Sequence, residues 1–379
     1  MTVNGSCSPK FDRVRDLVQG RLDLGEELGL SLCVNIDGEN VLDIWGGHAN
    51  EEKSRPWEED TLTVVWSSSK VITSLAALKL IDSGLLDPEE RVSKYWPEFG
   101  VNGKEYVKVW HFLTHSSGLP SWTEPMTIDL LYDTPASTEM LARQAPWFAP
   151  GSATGYQMLN HGHLIGELVR RVSGKPLKQF IAEDIAGPLD ADFSLGVAEE
   201  KWARTADVVP PPPFDVPEGI DMDSIMIKTF LNPAPDAKAS MTPEFRAAEI
   251  GAINGFANAR SLARIASIVS LGGTVDGTQH LSPLTIEQIF QERISSVDLV
   301  LGLKIRMGLG FGIPVPETIS YIPEGNIVFW CGWGGSMVIM DLDHRMTITY
   351  AMNKMGPGLA GNANSEIYIK AIYEIMAQE

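Results

Sequence analysis

"TVVWSSSKVITSLAALKLIDSGLLD", residues Thr63 to Asp87, decides how this chain is read. Three serines and a lysine open a strongly apolar run, so a buried helix starts beside a Ser-x-x-Lys element. With a helix beginning near Ser67, residues i and i+3 share a face, and the Ser67 hydroxyl meets the Lys70 amine. A serine hydroxyl becomes a nucleophile only when a base takes its proton, and the positive end of a helix favours the oxyanion that results. Lys70 serves as that base if its surroundings pull it down from about 10.4, the ordinary lysine value, and otherwise acts as a hydrogen-bonding cation. The competing reading is a serine that caps a helix while Lys70 points to solvent. Ser-x-x-Lys occurs only once in the chain.

On the N-terminal side, Phe11 to Leu22 spaces apolar residues as an amphipathic helix does. "LSLCVNIDGENVLDIWGG" then alternates apolar and polar residues around Asp37-Gly38, the turn chemistry of a β-hairpin. Near the other end "NIVFWCGWGGSMVIMDLDHRMTITYAMN" reads as three short strands, the first parted from the second by Gly332, Gly334 and Gly335. A helix follows from Ala363 to Met376. Between these β-rich ends the pattern is helical over Val71–Ser83, Tyr106–Leu113, Gly162–Val172, Pro176–Ile185, Ala259–Leu271 and Pro283–Gln291. The expectation is an α+β fold: residues 1–62 and 250–379 build one antiparallel sheet subdomain flanked by helices, and a mainly helical subdomain, 63–249, is inserted into it. The proline-rich stretch 208–242 fits neither pattern, and reads as a lid, a pocket wall or a surface loop.

The 379 residues carry 30 Lys+Arg against 49 Asp+Glu, a formal charge of -19. That balance argues against nucleic acid or an anionic membrane surface as a partner. No run approaches the roughly 18 apolar residues of a membrane span. Cys7, Cys33 and Cys331 lie far apart without ligand-type spacing, so a reduced, cytoplasmic setting is expected. His161 and His163 lack a carboxylate or cysteine cluster around them and read as packing or exposed residues, with no metal site.

Five blocks now appear in order. They are "WSSSKVITSLAALKLIDSGLLDPEERVSKYWPEF", "VWHFLTHSSGLPSW", "APGSATGYQMLNHGHLIGELVRRVSGKPLKQFI", "GFANARSLARIASIVSLGG" and "FWCGWGGSMVIMD". Together they resemble the serine β-lactamase and penicillin-binding-protein superfamily, and within it the esterase branch related to class C β-lactamases. The resemblance implies a nucleophile at Ser67, its lysine at Lys70, and the second-motif tyrosine at Tyr156. That tyrosine, as phenolate or sharing a proton with the lysine, deprotonates the serine in the family, and a neighbouring ammonium lowers a phenol's pKa. The third motif falls on Trp330-Cys331-Gly332, and the oxyanion hole on the backbone N–H groups of Ser67 and Trp333. His115 belongs to a block used structurally and is expected to be a hydrogen-bonded helix-end histidine.

Two departures from the β-lactamase pattern stand out. Met158 replaces the asparagine that touches a substrate amide, with Asn160 out of register, and Trp330 replaces the lysine that holds a carboxylate. With Trp330, Cys331, Gly332, Trp333 and Met158 around the nucleophile, the expected substrate is a small-molecule ester with a neutral, apolar acyl group. The expected activity is a carboxylesterase without metal or cofactor. An acyltransferase using an alcohol, a weak β-lactamase, and a scaffold or sensor of the same fold are the alternatives. An α/β-hydrolase is excluded by the absence of a G-x-S-x-G elbow.

Overall fold

The computed structural model describes residues 2–378 apart from 214–218 and 220, so part of the proline-rich stretch lies outside the described residues. Three strands come from the first fifty residues: β1 (Asn4–Cys7), β2 (Gly29–Ile36) and β3 (Glu39–Gly47). Six more follow late in the chain: β4 (Ile294–Val297), β5 (Lys304–Met307), β6 (Gly312–Ile313), β7 (Ile327–Cys331), β8 (Met337–Asp341) and β9 (Met346–Met352). All nine form one antiparallel sheet in the order β1-β3-β2-β9-β8-β7-β6-β5-β4. The centre is the β2–β9 pair, which joins the two ends of the chain with Leu32 opposite Tyr350 and Cys33 opposite Thr349.

Alternation along β2 sorts the two layers that cover the sheet. Cys33 packs on Ala259 and Ala263 of one helix, Ala259–Ser270, and Thr349 donates to the Ala259 carbonyl. On the opposite face Tyr350 meets Tyr368 of the helix Ala363–Met376, which also packs on the helix Asp12–Asp23. Both faces of β2 are therefore buried.

The middle of the chain is mainly helical. The helix Ser69–Asp82 is buried on nearly every side and packs against His161–Ser173, which Gly174 ends in the left-handed conformation. Among the expected elements, Tyr106–Leu113 is shorter in the structure, Val109–Leu113. Its first part is extended because Val92 N–H donates to the Val107 carbonyl. Pro176–Ile185 is an α-helix only over Leu177–Ile181 and continues as a wider turn. The proline-rich excursion is not wholly irregular, since it carries the helix Ile225–Phe230 and a turn of helix at Ala237–Met241. The helix Thr134–Arg143 and the strands β4 to β6 have no counterpart in the sequence reading.

Candidate active site

The turn that carries Ser67 joins the short strand Thr63–Val64 to the helix Ser69–Asp82. Ser67 lies one residue before the helix N-cap, Ser68, and a tight turn, Lys70 N–H to the Ser67 carbonyl at 3.0 Å, leads into the helix. The turn is fastened on both sides. Ser69 Oγ donates to the Trp66 carbonyl and accepts from Gly255 N–H, while Ser336, beside β8, donates to the Val65 carbonyl at 2.7 Å. Lys70 and Ser67 thus share a face without freedom to swing apart.

Tyr156 arrives from a different segment. Its backbone N–H donates to Asp298, in the loop after β4, and its hydroxyl donates to Ser67 Oγ at 2.8 Å. Lys70 Nζ lies 3.1 Å from the same Oγ, and its other contacts are the Met158 and Ala252 carbonyls at 2.9 and 3.0 Å. Ser67, Lys70 and Tyr156 are all buried. The third motif closes the site from β7. A Cβ built on Gly332 would lie 2.1 Å from Ser336 Oγ, 2.4 Å from the Val65 carbonyl and 3.3 Å from Ser67 N, so only glycine allows this strand end so near the nucleophile. Trp333 is the next residue. Neither its N–H nor that of Ser67 donates to another described protein group, so both donors are unspent.

Burial sets the charge states. No carboxylate faces Lys70, so desolvation holds its ammonium well below the ordinary 10.5. Tyr156 is pushed above the usual 10 by burial, and the bond to Ser67 offsets only part of this. On the phenol, burial thus works against the lowering that the sequence reading expected from a neighbouring ammonium. Cys331 is pushed up to about 12 by burial, so its thiol, which donates to the Leu359 carbonyl, is no competing nucleophile.

Trp330, Cys331 and Trp333 are half-buried, and the Trp330 ring packs 5.8 Å from that of Tyr156. Met158 contributes its carbonyl to Lys70. Asn160 turns away to the Leu119 carbonyl. His161 and His163 are buried packing residues, and among the described residues no group of three His, Cys, Asp or Glu converges as metal ligands would. His115 is the expected hydrogen-bonded helix-end histidine: it follows the C-cap of the helix Val109–Leu113 in the left-handed conformation. Its ring packs 5.0 Å from Tyr156, its Nδ1 lies 3.1 Å from Gln157 Oε1, and burial followed by Lys70 lowers it to about 3, so it is neutral. No residue pattern signals this contact, nor that of Trp66, whose ring meets Trp333 at 5.2 Å.

Fold and comparisons together define an enzyme of the serine hydrolase, β-lactamase class. A family model described as Beta-lactamase matches residues 14–371, and the chain belongs to that family. It is similar to the esterase/β-lactamase LipL of Mycobacterium tuberculosis (strain ATCC 25618 / H37Rv), 31% identical over 350 residues that cover 86% of this chain and 80% of the relative. A solved family VIII carboxylesterase superposes with a TM-score of 0.92 at 34% identity, covering 99% of this chain and 100% of the other. A penicillin-binding-protein homologue from Caulobacter crescentus gives 0.91 at 33%, with the same coverage.

Proposed function

We propose that the chain is a serine carboxylesterase that works through an acyl-enzyme on Ser67. The observation that carries this reading is the placing of Ser67 Oγ between Lys70 Nζ and Tyr156 Oη, together with two unspent backbone donors. As a neutral amine, Lys70 gives its two N–H groups to the Met158 and Ala252 carbonyls and turns its lone pair to the serine. Lys70 takes the Ser67 proton as Oγ attacks the ester carbonyl. The carbonyl oxygen, now an oxyanion, rests on the N–H groups of Ser67 and Trp333, where such a donor is worth about 2.7–4 kcal/mol. The C–O bond to the alcohol then breaks, Tyr156 protonates the departing oxygen, and the Lys70 ammonium returns a proton to the phenolate. Water repeats the sequence in reverse and frees the acid. An alcohol in its place makes the same acyl-enzyme a transferase.

Neutral, apolar acyl groups fit this site. Trp330 and Met158 stand where polar handles for an anionic amide would be. The names of the relatives, an esterase/β-lactamase and a carboxylesterase, support ester hydrolysis. Division of the chain into a sheet part and an inserted helical part, 63–249, is the accompanying proposal, supported by the confinement of the nine-stranded sheet to residues 4–47 and 294–352.

Intact-protein mass spectrometry of wild type and Ser67→Ala, after brief exposure to p-nitrophenyl butyrate, tests the reading, with nitrophenol release followed in parallel. A butyryl adduct and a nitrophenol burst in wild type alone are expected. Equal turnover by the variant ends the proposal and leaves Ser67 as a residue of the helix-leading turn. Butyrate esters formed on adding alcohols would assign the acceptor.

A further inference from the structure

Backbone strain in this molecule is not spread at random. Eight described residues other than glycine have a left-handed φ. Six of them are Asp, Asn, Lys or Arg; the other two, Trp66 and His115, are the aromatic pair that borders the site. Trp66, at φ 47°, directly precedes Ser67. A Cβ-bearing residue adopts this conformation only at a cost, and a bulky one is a genuine outlier, so surrounding contacts must impose it.

Those contacts are on the page. The Trp66 side chain is 3% exposed and is held edge-on between Trp333, centroids 5.2 Å apart at 65°, and Phe245, 6.0 Å apart at 62°. Its carbonyl accepts from both Ser69 N–H and Ser69 Oγ. The residue that sets the direction of the Ser67 N–H thus touches, through its ring, the residue that supplies the other unspent N–H. Gly332 removes any side chain that would hold the two segments apart. One aromatic contact spans both sides of the oxyanion hole.

We propose that Trp66 is a positioning residue for ester hydrolysis: its ring, wedged against Trp333, fixes the spacing and aim of the two backbone donors that receive the oxyanion. This rests on the acyl-enzyme reading above and deepens it. Trp66 touches no reacting atom, so the effect passes through backbone geometry alone. Misplacement of reacting groups by about 1 Å can cost 10²-fold in rate.

The test compares Trp66→Gly, Trp66→Phe and Trp333→Leu with wild type on p-nitrophenyl butyrate and on its thiono analogue, in which sulfur replaces the carbonyl oxygen. Glycine adopts the left-handed conformation freely, so Trp66→Gly removes the ring without adding strain. Wild type should prefer the oxygen ester by about 10²-fold or more, because donors fixed for an oxyanion fit sulfur poorly. Trp66→Gly should lose about 10- to 100-fold in kcat with KM within about threefold, and its oxygen-to-sulfur preference should fall towards one. Trp66→Phe should keep most of the preference. Trp333→Leu, altered at a half-buried position, should lose it, and gives the decisive comparison with Trp66→Phe if the glycine variant does not fold. An undiminished preference in the ring-removing variants overturns the inference, even where overall rates drop. Ser67→Ala separates the two failures: a dead Ser67→Ala with an unaltered preference in Trp66→Gly removes only this inference, whereas an active Ser67→Ala removes the acyl-enzyme reading beneath it.

Discussion

Lys70 and Glu27 are both buried titratable groups without an ion pair among the described residues, and each is set beside tyrosine. Glu27 lies between the sheet and the C-terminal helix, where Tyr350 and Tyr368 donate to its Oε1 and Oε2 finds no described partner. Burial pushes it up to about 7, with the tyrosines and Asn364 opposing, while the nearby Arg21 is paired with Glu26 and Asn364. Lys70 is displaced in the direction that burial dictates for a base. Perturbed titration is therefore common to both and identifies neither as a site. What sets Lys70 apart is an adjacent hydroxyl together with two donors left unspent, whereas everything around Glu27 is walled by protein. The comparison teaches that chemistry is marked by what the packing leaves unused.

The comparison breaks most readily at Lys70. Lys70→Met should lower kcat by about four orders of magnitude, the upper range for loss of an acid–base group. It should also make the fold more stable at neutral pH by about 1–2 kcal/mol, as is usual when an active-site strain is removed. The sign follows from linkage: the folded state holds Lys70 below its unfolded value, so on lowering the pH through that window the unfolded chain takes up the proton and gains. The stabilisation, read from urea midpoints, should be larger at pH 7 than at pH 10. Wild-type kcat/KM should rise as pH climbs through the lowered Lys70 value and then level off, because Tyr156 stays protonated well above neutrality. A falling limb at neutral pH would return the base role to a phenolate.

Tyr156→Phe removes the proton donor and the bond to Ser67 while keeping the ring against His115 and Trp330. Turnover should drop about 10²- to 10³-fold with an unchanged melting temperature. Activity within tenfold of wild type would leave Lys70 as the only proton-transfer group.

At Glu27 the expected effect is on stability alone. With its folded value near 7 and an ordinary value of 4.5, stability tied to this carboxyl is complete at low pH and is lost as pH rises through about 7. Glu27→Gln should flatten that loss, worth of the order of 2–3 kcal/mol between pH 5 and 8, without changing kcat/KM. A Glu27→Gln variant with altered catalysis would erase the distinction between the two regions.

The legibility of these regions in the sequence differs for physical reasons. Ser67 and Lys70 could be paired on paper because helical spacing is local, and the resemblance brought Tyr156 to them across 89 residues. The central strands β2, β7, β8 and β9 were readable because their burial enforces apolar composition. Strands β4 to β6 were not, since edge positions tolerate polar residues such as Ser295 and Lys304. The left-handed φ of Trp66 and the His115–Tyr156 contact are set by tertiary packing, and residue type carries no trace of either.

The join between β2 and β9 also has a temporal meaning. A ribosome delivers β2 long before β9, and at about 5–20 residues per second the interval between them is tens of seconds. Throughout it β2 has only β3 for a neighbour, and its other edge waits unpaired. The nine-stranded sheet, and with it the layer beneath the nucleophile, therefore closes only when nearly the whole of this sequence has been made.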